Sequence, residues 1–314
     1  MKKISSLMVL VACSLSLNGQ EELYKTVKTC NGEELPDVIH TFTTDGSIEY
    51  NVSDTEKGFK GQYKNGVKNG IWSYYDSKGK LMEKRTHTDN YNFTSSNKTS
   101  KLSTTLVKDA NGVIPFHHVK EADVAWSARY FQFIDFAKVE NVDGKVLKQT
   151  LEAILIDPQM KKYGDSELKE EVLFDVSQLN DYAIVGFISK NDLFVDKARM
   201  ITDQRTIGLQ LVGKNVKTGQ LEALPALYYP NIREALAKQT INYGKKSMSI
   251  DEVFFYNLLR GPANQITFKS PTKYYYGKAI QDLECFFFQE YSHLIFDSEK
   301  FLTTLIEKNS QSNQ

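Results

Sequence analysis

The spacing of apolar positions changes part-way along the chain. Between Glu21 and His87 they form short β-prone runs, at Val38 to Phe42, Ser47 to Val52, Phe59 to Lys64, Ile71 to Asp76 and Lys80 to Arg85. Asp45-Gly46, Asn65-Gly66, Asn69-Gly70 and Ser77-Lys78-Gly79 separate these runs. Such residues adopt positive φ at little cost, so each site is expected to reverse the chain into a hairpin. Within Ile71 to Asp76 a period of two puts Trp72 and Tyr74 on one face. Ile71, Ser73 and Tyr75 fall on the other.

From Thr88 to Asp109 the chain turns polar, with too little apolar area to offset ordering, and residues 88–110 read as an exposed linker. Beyond it, residues 111–308 mix two periods. Glu121 to Lys138 carries Val124, Ala125, Ala128, Phe131, Phe133, Ile134 and Phe136 near a 3.6-residue spacing, which predicts a helix. Lys145 to Ile156 predicts a second helix, stopped by Asp157-Pro158. Tyr182 to Phe194 and Gln204 to Val212 are rich in Ile, Val and Phe and predict strands. Asn231 to Gln239 and Ser249 to Arg260 predict helices, as does Asp282 to Glu307, with a break near Ser292. The last residues, 309–314, are expected to fray. Both kinds of element without strict alternation give an α+β fold: a small antiparallel β unit over 20–87, then a mixed domain.

The first residues revise the length of the working protein. Met1-Lys2-Lys3, an apolar run from Ile4 to Leu17 and Asn18-Gly19 have the order of a secretory signal peptide, 1–19. Leu10-Val11-Ala12-Cys13 also fits lipid attachment at Cys13, but Leu15 and Leu17 continue the apolar run past it, which favours cleavage after Gly19. No later run approaches the roughly 20 apolar residues of a membrane-spanning helix, so an exported, periplasmic protein is expected. Losing the leader removes two lysines from a chain of 39 basic and 39 acidic residues. A nearly neutral protein lacks the concentrated basic surface that nucleic acid demands. Cys30 and Cys285 remain, either bridged or as two separate small apolar residues.

Candidate chemistry is sparse. Adjacent His117 and His118 diverge in a helix or strand, whereas metal pairs favour spacings such as i, i+4. Glu167, Glu170 and Glu171 beside Lys169 read as a solvated helix face. The Ser-x-x-Lys matches at Ser77, Ser95 and Ser166 lack partner motifs. Asp196, Arg199, Asp203 and Arg205 form the densest charged group, with three open readings. They clamp an anion, form salt bridges inside the domain, or reach across a subunit boundary. No catalytic residue, metal or cofactor is expected.

Two resemblances add to this. Gly61 to Leu81, with Tyr63-Lys64-Asn65-Gly66 and Gly70-Ile71-Trp72-Ser73-Tyr74-Tyr75-Asp76, resembles a MORN repeat, a stacked hairpin that needs neighbours to cover its apolar face. Tyr63, Trp72, Tyr74 and Tyr75 are then either an aromatic docking surface or an internal sheet core. Separately, Val119 to Ser127, Ile134-Asp135 with Asn141, Leu193 to Arg199, Arg205 to Leu209 and Tyr228 to Arg233 stand in one order over roughly 115–280. They resemble the GldN family phrases "READV-W", "ID…N", "FFDK-R", "R-IGI" and "YFPE-R". Gln132 and Ala137 stand where that family carries arginines, so contacts made through them are not expected to carry over. The resemblance implies a non-catalytic scaffold of the gliding-motility and type IX secretion apparatus. Such a scaffold would bind a GldK-like outer-membrane lipoprotein, copies of itself, or both. It points to Trp126, Arg129, Asp135, Asp196, Arg205, Tyr229, Pro230 and Arg233 as contact residues.

Overall fold

The computed structural model describes residues 21–23, 39–42, 48–54, 58–64, 67–88, 90–96, 106–139, 142–259, 266–269, 275–280 and 291–312. The leader with Cys13, both Cys30 and Cys285, and Gly261-Pro262, which is expected to end the helix predicted over Ser249 to Arg260, lie outside these residues.

Seven strands form an antiparallel meander in chain order: β1 (Glu21–Leu23), β2 (Ile39–Phe42), β3 (Ile48–Asp54), β4 (Phe59–Lys64), β5 (Val67–Tyr75), β6 (Leu81–His87) and β7 (Phe93–Ser95). Two expectations change here. Asn69-Gly70 does not reverse the chain. β5 runs through it, and the register passes from Gln62 opposite Asn69 to Lys60 opposite Ser73, so Gly70, at φ +66°, serves a bulge. The polar stretch after His87 is not wholly an exposed linker either. β7 pairs with β6, and Tyr91 and Phe93 are buried, because two well-placed aromatics outweigh a polar average.

The second sheet has the order β15-β8-β10-β11-β12-β9. Its members, with the helices between them, are β8 (Val124–Asp135), α1 (Gly144–Ile156), β9 (Lys162–Tyr163), β10 (Tyr182–Asp196), β11 (Ile201–Asn215), β12 (Leu221–Tyr228), α2 (Tyr229–Ala237), the hairpin β13 (Thr240–Tyr243) and β14 (Lys246–Ser249), α3 (Ile250–Phe255) and β15 (Ile266–Lys269). The expected helix over Glu121 to Lys138 is therefore a strand. The second half of β8 is covered on both faces: Tyr130 joins one buried cluster, Phe131 and Phe133 another, and Ile134 a third. A strand buried on both sides shows no alternation, and its run of apolar side chains passes for a helical stripe. Of the other elements expected in this domain, α1, β10, β11 and α2 stand near their expected bounds and α3 stops at Phe255, whereas β9 and β12 to β15 have no expected counterpart.

α1, α2 and α3 cover one face of the second sheet. Asp143 caps α1, its Oδ1 accepting from the backbone N–H of Lys145 and Val146. Ser249 and Glu252 form a reciprocal capping box at α3. The last helix, α4 (Tyr291–Ser312), continues through the residues expected to fray. It joins the two sheets. Leu294, Leu302 and Ile306 share a core with Phe59, Trp72 and Tyr74 of the first and Tyr130, Leu193 and Val195 of the second. Each such buried side chain contributes roughly 1.5–3 kcal/mol. Gly61 shapes this core, since a Cβ there would stand 2.0 Å from the Trp72 ring.

Candidate functional site

Three polar networks lie along the strand pair β10–β11 and what packs on it. The first begins in the tight turn between these strands. Asp196 accepts from the backbone N–H of Ala198 and Arg199, and its Oδ2 takes the Arg199 Nε at 2.6 Å. Arg199 Nη2 donates to Asp203 Oδ2 at 2.7 Å, and the Tyr91 hydroxyl donates to Asp203 Oδ1 at 2.9 Å. Arg205 adds a weaker contact to Asp203 at 3.4 Å and donates to the His117 carbonyl at 2.6 Å. Burial opposes the Arg199 charge, but Asp203 and Asp196 outweigh it and hold its pKa above the ordinary value. Burial, then Asp203, pushes the Tyr91 hydroxyl well up.

The second network ties α2 to α3. Arg233 meets Asp251 through two bonds, Nε to Oδ1 at 2.8 Å and Nη2 to Oδ2 at 2.9 Å, and also reaches the Ile114 carbonyl at 2.7 Å. The Tyr229 hydroxyl donates to Asp251 Oδ1 at 2.7 Å. Phe116 connects the two networks, its ring 5.0 Å from the Arg205 guanidinium and 4.4 Å from that of Arg233.

The third network fastens α4. Glu299, fully buried, receives Lys68 Nζ at 2.7 Å, Thr202 Oγ1 at 2.9 Å and the Tyr74 hydroxyl at 3.4 Å. Burial lowers the Lys68 pKa against the pull of Glu299. Nearby, Arg85 makes a two-bond pair with Glu83 and donates to the Met200 carbonyl at 2.6 Å.

The structure thus gathers Asp196, Arg199, Asp203 and Arg205, and separately Tyr229 and Arg233, as internal fastenings. Trp126 is half-buried beside the Tyr130 core. Asp135 closes β8 by accepting from Ala137 N and pairing with Lys138 at 3.3 Å. Pro230 lies exposed in the first turn of α2. Arg129 is the outward-facing charge of the set, held to Asp192 on β10 by two bonds of 2.6 and 2.7 Å. Trp72 and Tyr74 are wholly buried and form sheet core, not a docking surface; Tyr75, on the other face of β5, is half-buried, and the Tyr63 side chain lies outside the described residues. Sequence reasoning missed Tyr91, Phe116, Asp251, Lys68 and Glu299. Asp251 had a signal, being an acid in the first turn after a Ser-x-x-Glu cap.

An open cleft of about 340 Å³ adjoins the first network, lined by Tyr91, Leu106, Ile114, Phe116, Phe255 and both His117 and His118, with Arg199 and Asp203 at its floor. Asp196 does not line it. Arg199 turns its Nε and Nη2 donors to Asp196 and Asp203, and these two carboxylates oppose an anion beside it. Among the described residues, no three His, Cys, Asp or Glu side chains converge as metal ligands do, and no helix is long and apolar enough to cross a membrane.

The family model for gliding motility associated protein GldN matches residues 64–264. This chain belongs to the GldN family. The match begins at the end of β4, earlier than the phrases near Val119, and takes in β5–β7 together with the first two networks; α4 lies beyond it. Membership marks the chain as a component of gliding-motility and type IX secretion machinery. No curated protein matches it.

Proposed function

We propose that this GldN-family chain is a non-catalytic, periplasmic scaffold that assembles with a GldK-like outer-membrane lipoprotein. The observation that carries the reading is the commitment of its densest charged groups to one another. Asp196, Arg199, Asp203, Arg233 and Asp251 are buried and bonded in pairs, an arrangement that fixes a shape and leaves no poised acid, base or nucleophile among them. A leader peptide at 1–19 accounts for export, and the near-neutral mature chain suits a protein partner.

The test mixes the mature chain, from Gln20 onward, with the lipoprotein ectodomain encoded in the same genome and follows particle mass by light scattering. A stoichiometric complex is expected. Arg129→Ala should weaken it without moving the thermal midpoint appreciably, because the Arg129–Asp192 pair is exposed and such pairs contribute about 0–1 kcal/mol. Failure of the wild-type chain to associate with the ectodomain at micromolar concentrations refutes the reading.

A further inference from the structure

Among the described residues, two exposed surfaces lie apart from these networks, and their chemistry is complementary. The first is the segment from Asp165 to Asp181, which holds six carboxylates and one lysine, Lys169. It is not the solvated helix its sequence suggests. Its backbone is pinned: Gly164 N bonds Glu170 O, Val172 N bonds Lys162 O, Asp165 Oδ1 accepts from Glu167 N and Leu168 N, and Lys190 Nζ reaches Ser166 O at 2.9 Å. Phe174 packs edge-on against Tyr276. Between the half-buried Val172 and Phe174, Leu173 is fully exposed, with Val176 exposed nearby and Glu170, Asp175 and Glu171 around them, the last paired with the exposed Lys161 at 2.6 Å. A large aliphatic side chain held outward by an anchored backbone is a feature of a contact surface, since exposure here does not follow from fraying.

The second surface is the outer face of β4–β6. Cross-strand register places Lys60, Ser73 and Lys84 in one row, Ile71 and Thr86 in the next, and Tyr75 opposite Leu81. Ile71 is 63% and Leu81 41% exposed, and Lys60, Lys78, Lys80 and Lys84 surround them. Acids close to this face are already engaged: Asp76 accepts from Lys78 N and Lys80 N, Glu307 from Ser77, and Glu83 turns inward to Arg85.

We propose that the acidic Leu173 tip of one copy docks on the lysine-rimmed Ile71–Leu81 face of a second copy. Apolar groups at the centre and opposite charges around them are what a specific contact requires. The two patches lie on different parts of the chain, so the contact is head-to-tail and leaves a free patch at each end for a further copy. The inference deepens the scaffold reading by naming the surfaces that join copies.

Sedimentation velocity on the full mature chain tests it. Wild-type chain is expected to self-associate with rising concentration, and less so in high salt. Leu173→Asp should weaken this about tenfold or more. Charge reversal gives the decisive arm. Glu170→Lys with Glu171→Lys, or Lys80→Glu with Lys84→Glu, should each leave monomers. An equimolar mixture should associate again, because each tip then meets an oppositely charged face. All these side chains are exposed, and the Lys161–Glu171 pair that one variant breaks is of the exposed kind that contributes about 0–1 kcal/mol, so circular dichroism melts should lie close to wild type. Monomeric wild-type chain, undiminished association of Leu173→Asp, or a mixture that stays monomeric overturns the proposal. Binding of the lipoprotein ectodomain is measured separately, so loss of this contact with that complex intact leaves the scaffold reading standing.

Discussion

Glu299→Gln tests whether the polar fastening of α4 stabilises the fold as its geometry implies. The substitution keeps the shape of the side chain and its contacts to Thr202 and Tyr74 but removes the negative charge facing Lys68, both groups being nearly or wholly buried. Removing one partner from a buried ion pair costs about 3–5 kcal/mol, because the remaining charge stays desolvated. In a chain of this size that corresponds to a fall in Tm of roughly 10 °C. The pH dependence carries a sign. Burial already lowers the Lys68 pKa below the ordinary 10.5, and loss of Glu299 removes the main attraction that opposes it. Between the depressed folded value and the unfolded value the unfolded chain binds the extra proton, so stability rises with pH. The variant's deficit should therefore shrink as pH rises from neutral toward that value. Lys68→Met with Glu299→Leu should recover most of the loss, since the two charges leave together. Thermal melts at several pH values decide the matter. A single variant within about 1 kcal/mol of wild type, or a deficit that widens with pH, refutes the reasoning.

Asp251→Ala removes the carboxylate that holds Arg233 and Tyr229 and should cost about 3–5 kcal/mol in chemical denaturation. Tyr229→Phe, which deletes one bond to that carboxylate, should cost only about 1 kcal/mol by the same measurement. Gly61→Val should displace the Trp72 ring, 2.0 Å from the new Cβ, lower Tm and shift tryptophan emission to the red.

What was legible in the sequence depended on how many faces of an element are buried. β5 and β6 have one exposed face, so Trp72 and Tyr74 alternate visibly with Ile71 and the hairpin could be read. The Ser77-Lys78-Gly79 turn between them was equally plain, with Gly79 at φ +76°. The second half of β8 is covered on both faces, which erased its alternation and produced the false helix. Asn69-Gly70 misled because a glycine that tolerates positive φ serves a bulge as readily as a turn. At the site, Asp196, Arg199 and Asp203 could be paired from their spacing alone, since i, i+3 and i, i+4 contacts are local. Lys68 with Glu299 and Tyr91 with Asp203 are far apart in sequence, and no local pattern announces them.

The phrases that mark the family have a physical consequence for where partners bind. Asp196 and Arg199 in the phrase from Leu193 to Arg199, and Tyr229 and Arg233 in the last, are buried and held by carboxylate partners. Exchanging such a pair for apolar side chains of the same volume is often neutral for stability, so its role lies in admitting one packing and excluding others. A charge spent in this way is not available to a partner. Under the proposed scaffold reading, contacts are then expected at exposed side chains such as Arg129, Leu173 and Ile71. The family phrases therefore specify a common fold, and the exposed surface can vary without disturbing it.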